Sequence, residues 1–132
     1  SPIQDQYRGD GIVSRAAGYG MASLRVDGND VLAVHQAVSE ARAYARGNCK
    51  PVFVELMSYR IGHHSTSDDS TAYRPIEEIE GWKKAAHPIP RFRTFLEDRG
   101  LWDQAKEDEL REESRKAVLS AMVASEDKDK PE

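Results

Sequence analysis

The first half of the chain contains two short apolar segments of the length expected for β-strands. Residues 21–26 form the first, and the turn dipeptide Asp27-Gly28 closes it. Residues 52–57 form the second, and nearly every position in it is apolar. An uninterrupted apolar segment, unlike an alternating one, is typical of a parallel strand that is buried on both faces.

The segment between the two strands has the periodicity of a helix. Apolar residues recur every three or four positions over residues 30–46, with Asn29 or Asp30 placed to cap the start and Gly47 to end it. Strand, helix and strand in succession predict a βαβ unit with parallel strands and a right-handed crossover. Residues 1–19, in contrast, contain repeated glycines that predict irregular backbone.

Helical periodicity dominates from Pro75 onward. The first helix is predicted to begin at Pro75, and the second follows the breaks at Pro88 and Pro90 and stops at Gly100. Asp103 is placed to cap a third, long helix. Its thin apolar stripe consists of Leu110, Ala117, Val118, Ala121 and Met122. A stripe of this kind on a charged helix predicts contact with another surface or partner chain.

These patterns divide the chain into three parts. Residues 1–74 are predicted to be an α/β region, residues 75–125 a helical region, and residues 126–132 a frayed charged tail. A single βαβ unit supplies two strands, whereas a stable parallel sheet normally has more strands and is covered on both faces. We therefore expect a fragment, or a chain that completes its sheet with another polypeptide and self-associates when isolated.

Composition and charge exclude several classes of protein. Of the 132 residues, 39% are hydrophobic and 32% charged, with a net charge of −4. This mild charge, without a basic stripe, argues against nucleic-acid binding. The sequence has no apolar run of about 18 residues, so no membrane span is expected. The single cysteine, Cys49, excludes an internal disulfide and is expected in a helix-to-strand loop.

Residues 59–74, with the sequence YRIGHHSTSDDSTAYR, contain most of the candidate chemistry. They follow the carboxyl end of a predicted parallel strand, where ligands bind in open α/β sheets. A metal site would have four possible ligands: His63, His64, Asp68 and Asp69. Adjacent residues in extended chain point in opposite directions, however, and the spacing matches no zinc pattern.

Two further interpretations concern the serine and the histidines. Ser65 as the nucleophile of a Ser-His-Asp triad lacks the Gly-x-Ser-x-Gly turn, and a triad within six residues does not fold back easily. A single histidine that contacts a phosphate-bearing cofactor or transfers a proton is simpler. For His63 we expect a structural role, as a hydrogen-bonded anchor of the loop. The hydroxyl groups also make the loop a candidate kinase substrate. A phosphate there would be repelled by Asp68 and Asp69, and this repulsion would disorder the loop.

The same loop strongly resembles the regulatory loop in the alpha subunit of branched-chain 2-oxo acid dehydrogenases. The similarity extends upstream through QYRGDGIVSRAAGYGMASLRVDGNDVLAV and downstream through HPIPRFRTFLEDRGLWD. It implies an α/β fold: a partial thiamine-diphosphate-binding fold, with a parallel βαβ unit followed by an all-helical C-terminal region. It also implies that the complete enzyme decarboxylates branched-chain 2-oxo acids and acylates lipoyl groups in amino-acid catabolism.

The resemblance implies roles for individual residues of the loop. His64 matches the family histidine that contacts the cofactor and assists reductive acylation, so it is assigned both catalytic and cofactor-binding roles. Ser65 matches the main inhibitory phosphorylation site, and Pro75 replaces the second. Loop order and docking of the lipoyl-bearing domain are assigned to Arg60, Asp68, Tyr73 and Arg74.

The resemblance also implies cofactors that this chain does not bind alone. The complete enzyme would use thiamine diphosphate and Mg²⁺, with the main binding motif before Ser1 and no metal ligand in this chain. The Gly-Asp-Gly segment at residues 9–11, followed by Asn29, imitates that motif. The interval is too short and no strand precedes the glycines, so we interpret it as a coincidence of sequence.

The implied partners are a beta subunit in a heterotetramer, a lipoyl-bearing acyltransferase core, and a regulatory kinase and phosphatase. The implied location is the mitochondrial matrix in a eukaryote and the cytoplasm otherwise. This chain alone is expected to be inactive. The alternative from another functional class is a non-catalytic, phosphorylatable module for protein interaction.

Overall fold

A computed structural model describes residues 3–129 of the chain. Two compact units are present, Ser1–Phe92 and Arg93–Glu132, and each is described by itself below. The predicted boundary at residue 74 remains a prediction. Residues 130–132 of the predicted tail lie outside the described residues.

The first unit is built on a parallel sheet. Strand β1 (Ala22–Asp27) pairs with strand β2 (Val52–Met57), starting with Ala22 opposite Val52. Helix α3 (Val31–Asn48) joins the strands in sequence and packs on both of them. The predicted parallel βαβ unit, and with it the α/β class, is therefore confirmed.

Local capping sets the two ends of α3. Asp30 is the predicted N-cap, and its carboxylate accepts hydrogen bonds from the backbone N–H groups of Leu32 and Ala33 at 3.0 and 3.1 Å. The C-terminal end differs from the prediction, because Gly47 lies inside the helix. Cys49 instead adopts the left-handed conformation that ends it, with φ of 51°, and its exposed thiol lies in the predicted loop.

The prediction of irregular backbone over residues 1–19 is wrong in two places. Helix α1 spans Ile3–Gln6 and helix α2 spans Arg15–Gly18. The glycines correctly indicated turns, but long-range contacts stabilise a helical turn between them. Ala16 is fully buried, and α2 packs against β1.

Burial along β2 also differs from the prediction. Glu55 is the buried position, Val52 and Val54 are half-buried, and Leu56 is 50% exposed. The described residues form a sheet of two strands. This sheet does not bury both faces of β2, contrary to the prediction from the apolar segment. Apolar surface of β2 is left uncovered at Leu56.

The expectation of helix from Pro75 onward is confirmed. The helices are α4 (Ile76–Ala85), α5 (Pro88–Glu97) and α6 (Gln104–Glu126). The prolines differ slightly from the prediction: Pro75 is the extended N-cap of α4, while Pro88 and Pro90 lie in the first turn of α5. Proline is tolerated there because the first turn has no intrahelical partner for its N–H groups.

Both predicted signals near the start of α6 are confirmed. Gly100 has φ of 66° and donates its N–H to the carbonyl of Glu97 at 2.9 Å, which terminates α5. Asp103 accepts a hydrogen bond from the N–H of Lys106 at 2.9 Å and caps α6.

The predicted apolar stripe is exposed at Leu110, Val118 and Met122. None of the helices within residues 3–129 is long and apolar enough to cross a membrane.

Candidate functional site

The candidate site is the loop formed by residues 59–74, which follows the carboxyl end of β2. Its second half contains a short 3₁₀ helix, Ser70–Ala72. Asp69 caps this helix, because its carboxylate accepts hydrogen bonds from the N–H and hydroxyl of Thr71 at 3.1 and 2.6 Å. The local sequence Asp-Ser-Thr therefore folds the chain back toward the start of the loop.

The guanidinium group of Arg74 ties the end of the loop to its beginning. It donates hydrogen bonds to the carbonyl oxygens of Arg60, Ile61 and Gly62, the last two at 2.9 and 3.3 Å. The same group reaches Ser70 Oγ at 3.0 Å. The N–H groups of this one planar guanidinium bind three consecutive backbone carbonyls, so contacts inside the loop hold its two ends together.

Arg60 fixes the main chain of the two adjacent histidines. Its Nε and Nη2 donate to the carbonyl oxygen of His63 at 3.1 and 2.9 Å, and Nη2 also reaches the carbonyl of His64 at 3.0 Å. Both imidazole rings remain free of this contact. Arg60 therefore determines the path of the backbone at this point without blocking either ring.

Asp68 completes the ring of contacts from the opposite side. Its Oδ2 accepts hydrogen bonds from the N–H of His64 at 2.8 Å and from the hydroxyl of Tyr73 at 2.7 Å. The His64 N–H and then the Tyr73 hydroxyl lower the pKa of Asp68 below its ordinary value. The same bond to Asp68 raises the pKa of Tyr73, so at neutral pH the carboxylate is ionised and the phenol protonated.

His63 is a hydrogen-bonded anchor of the loop, as expected. Its Nδ1 accepts a hydrogen bond from the backbone N–H of Ser70 at 3.1 Å and lies 3.0 Å from Ser70 Oγ. Ser70 is 1% exposed, the most buried residue of the loop. Ser70 was not predicted as a site residue, although the Asp-Asp-Ser-Thr segment that caps the 3₁₀ helix is a signal that could have indicated it.

His64 and Ser65 are exposed, in contrast to Ser70. The imidazole of His64 makes no hydrogen bond within residues 3–129, so both ring nitrogens are available to a ligand. The hydroxyl of Ser65 lies 3.3 Å from that of Ser67 and is open to solvent. The arrangement therefore offers one free imidazole and, beside it, one accessible hydroxyl on a structured backbone.

The metal and triad interpretations have no geometric support in the described part of the chain. No group of three or more His, Cys, Asp or Glu residues between 3 and 129 is placed to hold a metal ion. Ser70 occupies the Nδ1 of His63, and the hydroxyl of Ser65 contacts Ser67 instead of a histidine. A free imidazole acting alone fits the geometry better than either alternative.

An aromatic contact supports the base of the loop. The ring of Tyr59 stacks on Trp82 of α4, with centroids 4.9 Å apart and planes inclined by 4°. The guanidinium carbon of Arg74 lies 5.2 Å from the centroid of the Tyr59 ring. No sequence pattern predicted this stack.

A second polar cluster, on β2, was also missed. Glu55 is 8% exposed and accepts hydrogen bonds from the N–H groups of Ile12 and Val13 at 3.1 and 3.0 Å and from Arg25 Nε at 2.9 Å. Burial alone would raise the pKa of Glu55, but the bonds from Arg25, Ile12 and Val13 outweigh it and lower the pKa. Arg25 and Glu55 are partners in the strand register, which is the sequence signal that could have identified the pair.

This cluster explains the Gly-Asp-Gly segment at residues 9–11. Arg25 donates to the carboxylate and to the carbonyl of Asp10, both at 2.8 Å. Gly11 has φ of 63°, and a Cβ added there would lie 3.0 Å from the Arg25 guanidinium. Asn29 is bonded elsewhere, to the Ser58 hydroxyl at 2.9 Å. Both parts of the apparent cofactor motif are thus engaged in contacts within the protein, and the coincidence of sequence remains our interpretation.

Comparison with known families assigns the chain to a class of protein. The family model described as "Dehydrogenase E1 component" matches residues 1–132. The chain belongs to the dehydrogenase E1 component family. The parallel βαβ unit and helical region described above therefore represent part of an α/β domain of this family.

Individual relatives narrow the similarity further. The chain is 53% identical over 131 residues to the mitochondrial 2-oxoisovalerate dehydrogenase subunit alpha of Bos taurus, and 51% identical over 131 residues to that of Homo sapiens; each alignment covers 99% of this chain. With subunit alpha 1 of Arabidopsis thaliana it shares 51% over 124 residues, 94% of this chain. The chain spans 29% of the length of the bovine and human proteins and 26% of the plant protein.

Proposed function

We propose that residues 1–132 are part of the alpha subunit of a branched-chain 2-oxo acid dehydrogenase and contain part of its thiamine-diphosphate-binding fold. The observation that supports this most directly is the internally bonded loop that presents His64 and Ser65, in a chain 53% identical to a 2-oxoisovalerate dehydrogenase subunit alpha. The complete enzyme would decarboxylate branched-chain 2-oxo acids oxidatively and acylate a lipoyl group.

His64 is the residue of this chain that suits contact with the cofactor. Its imidazole is exposed and unbonded within the described residues, and a ring N–H can donate to a phosphate oxygen or transfer a proton near neutral pH. Thiamine diphosphate, when bound, supplies the carbanion chemistry. Residues 3–129 hold no group of metal ligands, so we assign Mg²⁺ and the main diphosphate contacts to residues outside this range.

Ser65 is the proposed regulatory residue. Its hydroxyl is accessible, and the Ser65 carbonyl accepts the N–H of Asp68 at 3.2 Å, so the modified residue would stay close to that carboxylate. A phosphate has about two negative charges at neutral pH, and Asp68 is held ionised by its two donors. Repulsion between them would oppose the closed loop.

The remaining loop residues are proposed to order the loop for docking of the lipoyl-bearing domain. Arg60, Asp68 and Arg74 act through the hydrogen bonds described above, and Tyr73 acts through Asp68. The proposed partners are the beta subunit, the lipoyl-bearing acyltransferase core, and a regulatory kinase and phosphatase. The relatives are named as mitochondrial proteins, and we propose the same location for this chain.

One observation favours a non-catalytic interaction module as the second candidate. Apolar side chains of α6 are more than half exposed at Val118, Leu119 and Met122, which is typical of a surface that binds another polypeptide. The chain by itself would then bind partners without catalysing a reaction. The two candidates are compatible if the exposed helix contacts another part of the complete enzyme.

The test compares the complete alpha subunit, purified with its beta subunit, with the 132-residue chain alone. The complete enzyme should consume 2-oxoisovalerate with an artificial electron acceptor when thiamine diphosphate and Mg²⁺ are present, whereas the short chain should neither bind the cofactor tightly nor react. His64→Ala should abolish lipoyl acylation, and His35→Ala, which alters an exposed histidine of α3, should not. A complete enzyme that requires no thiamine diphosphate would refute the proposal.

A further inference from the structure

The ring of His63, the residue next to His64, is held by a hydrogen bond from the backbone. A backbone N–H can only donate, so the bond from the Ser70 N–H requires an unprotonated Nδ1 on His63. In this tautomer the ring N–H is at Nε2. The Ser70 hydroxyl lies 3.0 Å from the same nitrogen, and when it donates, Nδ1 accepts a second hydrogen bond.

Ser70 is itself held from the other end of the loop. Its Oγ accepts a hydrogen bond from Arg74 at 3.0 Å, and its carbonyl accepts the N–H groups of Tyr73 and Arg74 at 3.3 and 3.1 Å. Since Ser70 is almost completely buried, it has little freedom to move with the His63 ring. The His63 ring is therefore fixed to the most constrained point of the loop.

We propose that His63 is a positioning residue, whose unprotonated Nδ1, held by Ser70, fixes the direction of the neighbouring His64 imidazole. His63 and His64 share a peptide group, so a His63 ring held at Ser70 limits the rotation of that group and, with it, the direction in which the exposed His64 side chain leaves the backbone. Arg60 and Asp68 hold the carbonyl and N–H of His64, but they do not contact its ring. The bond to Ser70 thus adds a constraint that backbone contacts alone do not supply.

This inference rests on the proposed function of His64, and the test is designed to separate the two. His63→Asn keeps an acceptor oxygen near the position of Nδ1, whereas His63→Leu has a similar size and no acceptor. His87→Leu is a matched control outside the loop, because His87 Nδ1 also accepts a backbone N–H, that of Ile89 at 3.3 Å. These three variants, and Ser70→Ala as a fourth, are made in the complete subunit bound to its beta partner.

Two measurements are made on each variant. Limited trypsin digestion reports loop order through cleavage after Arg60, while the bond after Arg74 precedes Pro75 and resists trypsin. Lipoyl acylation is measured as separate kcat and KM values. Trypsin protection does not depend on activity, so it tests the loop even if the enzyme proves to have another substrate.

We expect His63→Leu to increase cleavage after Arg60 and to reduce the kcat of acylation, each by roughly tenfold, the effect of losing about one hydrogen bond. The KM for the 2-oxo acid should not change, because the substrate site is intact. His63→Asn should restore most of the protection and kcat, and His87→Leu should resemble wild type in both. Ser70→Ala, which keeps the backbone N–H, should show an intermediate loss.

Other outcomes would overturn the inference. If His63→Leu is protected as wild type is, or if His63→Asn is cleaved as readily as His63→Leu, the acceptor at Nδ1 is not what orders the loop. If His63→Leu is cleaved readily but acylates at the wild-type rate, His63 does not position His64. A wild-type enzyme without thiamine-dependent decarboxylation would instead refute the proposed function and leave the trypsin comparison valid.

Discussion

A single carboxylate oxygen of Asp68 connects two separate parts of the candidate loop. Its Oδ2 accepts the His64 N–H, next to the exposed imidazole, and the Tyr73 hydroxyl, five residues further along. Both donors stabilise the ionised carboxylate, so the charge of Asp68 is part of the closed structure. The stability of the loop should therefore depend on pH and on this charge.

The first prediction concerns Asp68→Asn. The pKa of Asp68 is lower in the folded loop than in the unfolded chain. The stability that the Asp68 carboxylate gives the loop is therefore fully present above the ordinary aspartate pKa of about 3.9 and is lost as the pH falls through the lower folded pKa. Wild-type protection of residues 60–74 should be constant from about pH 8 to 5 and fall below about pH 4. Hydrogen exchange, corrected for intrinsic rates, measures this. Asp68→Asn should be less protected at neutral pH and show a weaker acid transition; an unchanged profile would contradict the assigned role.

The second prediction concerns Ser65 in the complete enzyme. Ser65→Glu adds a negative charge near Asp68, so it should loosen the loop and suppress lipoyl acylation strongly, by roughly tenfold or more if one hydrogen bond is lost. Decarboxylation with an artificial acceptor should suffer less, because it needs no lipoyl docking. Ser65→Ala should stay active and resist kinase inhibition, since Pro75 replaces the second site that the resemblance implies. Wild-type protease protection in Ser65→Glu would rule out a mechanism based on loop disorder.

At the scale of elements, the turn between β1 and α3 is packed directly against the end of β2. The N–H of Gly28 donates to the carbonyl of Met57 at 2.7 Å. A Cβ added to Gly28 would lie 2.8 Å from that same oxygen, closer than real side chains approach. Asn29 is buried beside it and bonded to Ser58, the first residue after β2. This turn therefore positions the start of the candidate loop.

The third prediction follows from this close approach. Gly28→Ala should destabilise the complete subunit by about 1–3 kcal/mol, the usual effect of an added methyl group in a tightly packed site. Gly47→Ala is the matched control, because a Cβ there meets no atom within 4 Å and the residue lies in α3. It should be neutral or stabilising by up to about 1 kcal/mol. Urea midpoints measure both, and equal midpoints for the two variants would show that the contact is absent.

Elements whose signals are local could be predicted from the sequence. Asp30 and Asp103 cap the helices that follow them, and Gly100 ends α5, because these residues act on backbone groups a few positions away. Cys49 could not be predicted as the end of α3, since an unstrained glycine two residues earlier gave the stronger signal. Helix α2 was missed because its stability comes from the burial of Ala16 against a distant strand.

The same distinction applies to the two polar clusters. Residue types alone indicated a functional loop after β2, but they did not show that Ser70 is buried while Ser65 is exposed. That difference depends on Arg74, which reaches across the loop to Ser70. Glu55 interrupted an apolar segment, and its partners, Arg25 and two backbone N–H groups, lie 30 or more residues away. The register of the two strands could have indicated the Arg25–Glu55 pair, but no local pattern indicates the two backbone partners.

At the scale of the whole molecule, the described residues bury little apolar surface. Within residues 3–129 the hydrophobic side chains that are buried are those of Ala16 and Ala37, while many large ones are exposed. The chain also spans 29% of the length of the bovine relative. Apolar surface left open in this way favours association, because burial in an interface removes it from water.

The last prediction is that the isolated 132-residue chain self-associates through α6. Sedimentation should give a mass above the 14.8 kDa of one chain and rising with concentration. Replacing Val118 and Met122, two stripe residues that are more than half exposed, with lysine should shift the chain toward monomer. Replacing the exposed Ala105 and Ser120 of the same helix with lysine adds the same charge on the side opposite the stripe and should leave association intact. A wild-type chain that stays monomeric at high concentration would show that the helix is stable with its stripe exposed and that the stripe does not drive association. Equal dissociation of the two double variants would show instead that added charge alone separates the chains.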